Sequence, residues 1–335
     1  MSVGVTNPES EQLPDQAAAP ESQASEIAGK SPTQLAMARF RKDRLSMVSL
    51  VVVVVYIMLA LAAPLLVKSG FLDPYTLNQK LLDPNTLPLG KLGGISGDHW
   101  LGVEPGTGRD AMSRLWYGVT FSLVVALVAS VLTMLVGVVL GIIAGFSRSW
   151  ADPVIGRVID LILCFPSTLM LLALHDMVLD LLTNKLHVPA GVMAQGVFVV
   201  VVLSVFGWPT VARVVRGQVL SIREREFVDA ALLLGASRRR IYFKEILPNV
   251  WAPILVQFTL IMPTYISAEA ALSYLQVSIK PPTPTLGNVL RASLQYADSD
   301  PVYFFAPALL ICIIVVSFNL LGDGLRDALD PKGNR

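Results

Sequence analysis

The feature that most limits how this chain can fold is a series of long apolar runs. Residues 47–67 contain no charged side chain. As a helix rising ~1.5 Å per residue, that run reaches roughly 30 Å, the thickness of a bilayer's hydrocarbon core. In hydrocarbon every backbone N–H and C=O must find a partner inside the segment, so such a run has to be helical. Five more runs follow, at about residues 119–146, 158–182, 192–215, 250–275 and 303–321. With 53% hydrophobic and 15% charged residues in 335, the chain is too apolar for an ordinary soluble domain. The fold expected is an all-α membrane protein with six transmembrane helices.

Charge sets the orientation. Arg39, Arg41, Lys42 and Arg44 precede the first run, which places the N-terminal side in the cytoplasm. Arg148 and Arg157 follow the second run, and a dense basic set follows the fourth. The turn between the third and fourth has only Lys185. Six crossings return the C-terminus to the cytoplasm. Residues 1–30 are rich in Glu, Gln, Ser, Ala and Pro and read as a disordered cytoplasmic tail. Residues 31–46 read as a basic interfacial helix in the headgroup layer. Residues 47–330 form the six-helix domain, with an extracytoplasmic segment at about 68–115 and a cytoplasmic loop at about 216–248.

That loop contains a charged island. Phe227, Ala230, Ala231 and Leu234 stand at i, i+3, i+4 and i+7, one face of a helix. Two alanines on the face allow a partner close to the backbone. Gly235 stops the helix, because glycine accepts the left-handed C′ conformation. Ser237 can cap a second helix that runs to the break at Pro248. Arg238, Arg239 and Arg240 open that second helix, where cations are unfavourable. Something negative belongs beside them, either acidic residues of a partner or lipid phosphates. From residue 213 to 248 eight basic and four acidic residues leave a balance of +4. The loop is either a docking surface or an amphipathic helix lying on lipid.

Asp229-Ala230-Ala231, three residues, Gly235, and then Ile246-Leu247-Pro248 resemble the cytoplasmic coupling loop of ABC-importer permeases, with Asp where that family usually has Glu. His99-Trp100-Leu101-Gly102, Gly108-Arg109-Asp110, Ser113-Arg114-Leu115 and Tyr117-Gly118 resemble the external run of the C-type permease subunit of peptide and nickel importers. There the family has Thr-Asp after Leu-Gly, whereas Val103-Glu104-Pro105-Gly106-Thr107 stands here. Trp208-Pro209, Ala212-Arg213, Glu269-Ala270-Ala271-Leu272-Ser273, Pro281-Pro282 and Phe318-Asn319-Leu320-Leu321-Gly322-Asp323-Gly324 are similar to later parts of the same subunit. The resemblance covers about residues 33–332.

This resemblance implies the type I importer permease fold in a bacterial plasma (inner) membrane. Glu226, Phe227, Asp229, Ala230, Ala231, Leu234, Gly235, Ala236, Arg238 and Pro248 would form the ATPase-docking site. The implied partners are a homologous B-type permease, two ABC ATPase subunits, an extracytoplasmic solute-binding protein and the lipid bilayer. No cofactor is expected on this chain; ATP and Mg would sit on the ATPases, and the subunit itself would not be an enzyme. The implied cargo is di- or oligopeptides, with nickel or another small solute as the alternative.

Among individual residues, Glu269 is the most informative polar group inside a run, since an acid at a helix centre costs roughly 2.5–3.5 kcal/mol on insertion scales. It either lines a translocation path or hydrogen-bonds a neighbouring helix. Asp160 lies near a wet cytoplasmic helix end. His175, Asp176 and Asp180 read as a wet outer end rather than a proton relay. Pro166, Pro209, Pro263 and Pro307 read as static kinks, with hinges as the alternative. Gly137, Gly141 and Gly145 recur every four residues and read as a packing face.

Several classes are set aside. A net charge of +1 without a basic domain argues against nucleic-acid binding. Cys164 and Cys312 lie in apolar runs, and His99, His175 and His187 match no zinc spacing. No phosphate loop ends in Gly-Lys-Ser/Thr, and neither Gly-x-Ser-x-Gly nor His-Glu-x-x-His occurs. An ATPase-independent secondary transporter would show an internal repeat or several buried charges along one path. The topology predicts that membrane-impermeant thiol labelling from outside reaches a cysteine placed at Asn85 and misses one at Ser237; the reverse pattern overturns the orientation.

Overall fold

The computed structural model describes residues 32–329. The tail expected at residues 1–30 lies outside the described residues. The basic stretch forms α1 (Pro32–Lys42). Asp43 then caps α2 (Arg44–Lys68), its carboxylate accepting from the backbone N–H groups of Leu45 and Ser46. The first apolar run is therefore entered through a helix break, with the arginines held at its start.

A long loop leads to α3 (Ala111–Phe146), whose 36 residues exceed the expected run because Asp110 caps it early; the Asp110 carboxylate accepts from Ser113 N–H at 2.7 Å. After α4 (Ala151–Cys164) and α5 (Ser167–Asp180) comes α6 (Val192–Ile222). A short α7 (Glu226–Leu233) follows, then α8 (Trp251–Tyr274), α9 (Leu286–Ser293) and α10 (Pro301–Leu329). Five of these, α2, α3, α6, α8 and α10, are long and apolar enough to cross a membrane.

The third expected span is different. Instead of one helix kinked at Pro166, the chain breaks into α4 and a second arm, Ser167–Lys185, bent by 88°. Phe165 is extended (φ −84°, ψ 131°), as the residue before proline prefers, and Pro166 opens the next helix instead of bending a continuous one. At 14 residues α4 is only ~21 Å long, too short to cross alone. By contrast Pro64, Pro209, Pro263 and Pro307 lie inside continuous helices.

The centre of the bundle is the seam between α3 and α6. A Cβ on Gly137 would stand 3.0 Å from Trp208 O and 2.6 Å from Val211 Cβ. A Cβ on Gly141 would stand 2.8 Å from Ala212 O, and one on Gly145 2.9 Å from Arg216 O. The four-residue glycine spacing is thus a packing face along which two backbones approach closely. α10 packs between α2 and α8, and Tyr56 of α2 donates to Leu310 O at 3.0 Å.

The segment between α2 and α3 is folded onto one end of the bundle through a buried polar knot. Glu104 accepts from Tyr303 OH at 2.7 Å and from Thr107 Oγ1 at 2.7 Å, and its Oε2 lies 3.3 Å from Arg114 Nε. Arg114 also donates to Pro282 O at 3.2 Å, and Arg114, Tyr303 and Glu104 are all buried. Nearby, Asp300 caps α10 by accepting from Tyr303 N–H at 3.1 Å. Burial pushes its carboxyl above the usual aspartate value. Glu104 belongs to the run that departs from the family pattern, and it is the anchor of this end.

Gly141→Leu should break the central seam. Overpacking commonly costs ~1–3 kcal/mol, and contact with an immobile backbone places this site at the upper end. The expected result is a lower unfolding midpoint in detergent; an unchanged midpoint would mean the seam can open freely.

Candidate functional site

At the other end of α3 the chain builds a projecting loop. α7 begins after Arg225, whose backbone is extended, and Glu226 and Asp229 occupy its first turn, where acids complement the helix dipole. Val228 is fully buried. It packs in a cluster with Val215 and Val219 of α6, Ile142 of α3, and Ile241, Ile246 and Val250 of the returning chain. Val228 is the anchor that the sequence reading missed, because a lone valine beside charged residues carries no periodic signal.

The outward side of α7 is apolar. Leu233 and Leu234 are 89% and 88% exposed, and Phe227 is 42% exposed. Glu226, Asp229 and Ala230 are also exposed, while Ala231 and Ala236 are half-buried. The face expected from spacing, Phe227, Ala230, Ala231 and Leu234, is therefore rotated slightly. Leu233 joins it and Ala231 turns partly inward.

Gly235 takes φ +76° and ends the helix. Its N–H donates to Leu232 O at 2.9 Å, and Ala236 N–H donates to Ala231 O at 3.0 Å. No atom lies within 4 Å of a Cβ built there, so a side chain at this position meets a conformational cost and no clash. Ser237 caps the next turn, its hydroxyl accepting from Arg240 N–H at 3.4 Å. The helix expected to run to Pro248 is a short Arg238–Arg240 turn that widens over Ile241–Ile246 and tightens over Leu247–Asn249. Arg238 and Pro248 are exposed.

Besides Val228, Arg223 ties this loop to the bundle, while Arg216 and Arg213 tie the end of α6 to α4. Arg223 donates to Gly145 O at 3.0 Å and to Ser147 O at 3.4 Å, fastening the loop to the end of α3. Arg216 pairs with Asp152 of α4 through bonds of 2.6 and 2.9 Å, and Arg213 donates to Asp160 at 2.9 Å. Asp160 is exposed and paired with Arg213.

Glu269 sits elsewhere and in a different setting. It is fully buried within this chain. Its Oε1 accepts from Ser273 Oγ at 2.8 Å and Ser278 Oγ at 3.1 Å, and its Oε2 accepts from Ser122 Oγ at 3.0 Å. Ser122 Oγ in turn accepts from Leu286 N–H at 3.1 Å. The carboxylate thus joins α3, α8 and the loop leading into α9. Three hydroxyl donors enclose the carboxylate within this chain, which is the arrangement expected of the hydrogen-bonding alternative. His175 is likewise buried, its ring 5.1 Å from Phe198, and its Nδ1 lies 2.9 Å from the carboxylate of the exposed Asp176.

An accessible, mainly apolar cleft of about 180 Å³ that carries a few hydroxyls lies at the α5 break. It is lined by Ser167, Thr168, Gly207, Thr264 and Tyr265, from α5, α6 and α8, and also by Leu171, Val202, Leu203 and Phe206. Tyr265 OH is fixed by Thr133 Oγ1 at 2.7 Å and by donation to Leu203 O at 3.0 Å. Hydroxyls scattered over three helices give no motif in one dimension.

Glu269→Ala should strip three hydroxyls of their acceptor and lower stability by ~2–4 kcal/mol, with Glu269→Gln milder. Thermal unfolding in detergent and the pH profile of transport separate the roles. An unchanged midpoint with an altered pH profile would point to a path role.

Comparison with known proteins gives this architecture a family. Residues 137–335 match the profile of the binding-protein-dependent transport system inner membrane component, and residues 31–88 match the N-terminal TM domain of oligopeptide transport permease C. The oligopeptide transport system permease protein OppC of Bacillus subtilis (strain 168) is 38% identical over 89% of this chain and 88% of its own length. The dipeptide transport system permease protein DppC of Alkalihalophilus pseudofirmus is 36% identical over 90% of each. Among solved structures, an inward-facing form of the MetNI methionine ABC transporter superposes with a TM-score of 0.52 at 18% identity, covering 65% of this chain and 97% of that one. The chain therefore belongs to the inner-membrane permease components of binding-protein-dependent transport systems, in the C-type dipeptide and oligopeptide branch.

Proposed function

We propose that this chain is one of two permease subunits of an ATP-driven peptide importer, and that α7 is the element through which an ATPase subunit drives it. The observation that carries the reading is the exposed apolar tip, Phe227, Leu233 and Leu234, on a helix whose inner side is locked by buried Val228. Exposed leucines cost solvation free energy and are retained where a partner covers them. The names of the relatives, oligopeptide and dipeptide permeases, support peptide as the cargo.

In this reading both termini and the α7 loop are cytoplasmic, and the right-angled α4–α5 unit counts as the sixth crossing. A homologous B-type permease completes the path, two ATPase subunits bind ATP and Mg, and an extracytoplasmic binding protein delivers peptide. The α5 cleft is the candidate path surface on this chain. Closure of the ATPases moves α7. Because Val228 shares one cluster with α3 and α6, that movement is passed to the central seam as a rigid-body displacement. The ATPase states must bind α7 differently in the two membrane arrangements, since only differential affinity shifts such an equilibrium.

The test is ATPase co-purification and substrate-stimulated hydrolysis for three variants. Removing one fully covered leucine side chain loses ~1.5–3 kcal/mol of burial, so Leu234→Ala should weaken ATPase association roughly ten- to hundredfold. Gly235→Val forces a β-branched residue to φ +76° and should act similarly through the turn. Ala231→Trp overfills the half-buried side. Normal ATPase binding and coupled hydrolysis in all three would remove α7 as the coupling element.

A further inference from the structure

The outer surface of α3 carries a feature that neither coupling nor transport uses. An apolar groove of about 580 Å³ runs between α3 and α8, with Leu135, Val139 and Ile143 on one wall and Leu247, Trp251 and Leu255 on the other. From Val131 to Ile143 its floor follows α3 for about 18 Å at ~1.5 Å per residue, close to one leaflet of a hydrocarbon core roughly 30 Å thick. Leu135 is 58% exposed, and Val139, Phe243 and Trp251 are exposed as well. One turn beyond Ile143, Phe146 contacts Tyr242 edge-on, with 5.3 Å between ring centroids. Tyr242 lines the groove, and Phe146 also lines a second pocket of about 300 Å³.

That second pocket is cationic. Arg148, Arg223 and Arg238 converge on it beside Ser147 and Ser149. The acidic group facing it is Glu224, 3.0 Å from Arg223 and 3.7 Å from Arg148, so three positive charges meet one negative. Arg223 is held in place by Gly145 O and Ser147 O, while Arg148 is 70% exposed and held only by its 3.7 Å pairing with Glu224.

We infer that the groove and the pocket together hold one anionic phospholipid, its acyl chain along α3 and its phosphate among Arg148, Arg223 and Arg238. The two halves match the two halves of a lipid: an apolar groove of about leaflet length and, across the Phe146–Tyr242 ring pair, a pocket with excess positive charge. An acidic side chain of a protein partner would satisfy the arginines but would leave the groove uncovered. The inference rests on the proposed function in one respect, the assignment of this end to the cytoplasmic leaflet, whose anionic lipids attract basic residues. Leu232 of α7 lines the same pocket, so the headgroup would sit against the coupling helix.

Native mass spectrometry of the full chain, purified in detergent and stripped of lipid, tests this. Phosphatidylglycerol, phosphatidylcholine and inorganic phosphate are added separately. One phosphatidylglycerol should be retained with about tenfold preference over phosphatidylcholine, and phosphate alone should not. The double variant Arg148→Gln, Arg238→Gln changes only exposed side chains; it should erase the preference and leave phosphatidylcholine binding unchanged. Val139→Trp should fill the groove and lower retention of both lipids. Equal retention of the two lipids, an unchanged preference in the double variant, or tight binding of phosphate alone would overturn the inference. So would loss of the lipid whenever ATPase subunits bind, because their side chains would then own the arginines. Retention of phosphatidylglycerol by a permease that binds no ATPase would sink the coupling reading and leave this one standing.

Discussion

The structure depends on how closely two backbones can approach. Along the α3–α6 seam, Gly137, Gly141 and Gly145 leave no room for even a methyl group against Trp208, Ala212 and Arg216 carbonyls. In a bilayer, lipid tails are as apolar as leucine, so burial of apolar surface cannot by itself hold helices together. Van der Waals contact over a smooth interface has to do so. Several neighbours pack directly on this pair: α4 lies along α6, and α8 and α2 lie along α3.

The two ends of the pair are closed by different physics. At one end, Glu104, Arg114 and Tyr303 form a buried polar knot that fastens the long α2–α3 segment over the helix ends. A buried ion pair is weak evidence of net stability, because desolvation offsets much of the attraction. Its value here is register, since Arg114 also reaches Pro282 and so fixes where two distant loops meet. At the other end closure is apolar, around Val228 and Ile241. An apolar cluster transmits a push without demanding exact polar geometry, which suits an element that has to move as a body.

A projecting helix with a buried inner side and a bare outer side can convert partner binding into helix displacement. The same end carries the arginine pocket at the mouth of the α3–α8 groove. That pocket borders α7 itself, through Leu232. The right-angled α4–α5 unit meets α6 through Arg216–Asp152 and Arg213–Asp160 pairs that remain partly exposed. Exposed pairs contribute little stability, so these contacts can be exchanged at small cost.

Membrane residence, the number of apolar runs, the glycine packing face and the position of α7 were all legible in the amino-acid order. Each is carried by a local property: run length against bilayer thickness, a four-residue small-side-chain period, or a glycine that tolerates positive φ. The tertiary structure alone decided what each polar group inside the bundle does. Glu269 looked the same in sequence whatever it faced; its partners Ser122, distant in the chain, Ser273 and Ser278 are visible only in the packed bundle. The break at Pro166 was visible as a kink, but its size was not, because Pro209 and Pro263 carry the same local signal and sit in unbroken helices. A proline disfavours helix at the residue before it; whether the helix breaks there depends on whether neighbouring helices hold it straight. The roles of Val228, Leu233 and Glu104 were hidden for the same reason, since burial and exposure belong to the packing of distant segments and not to the residues themselves.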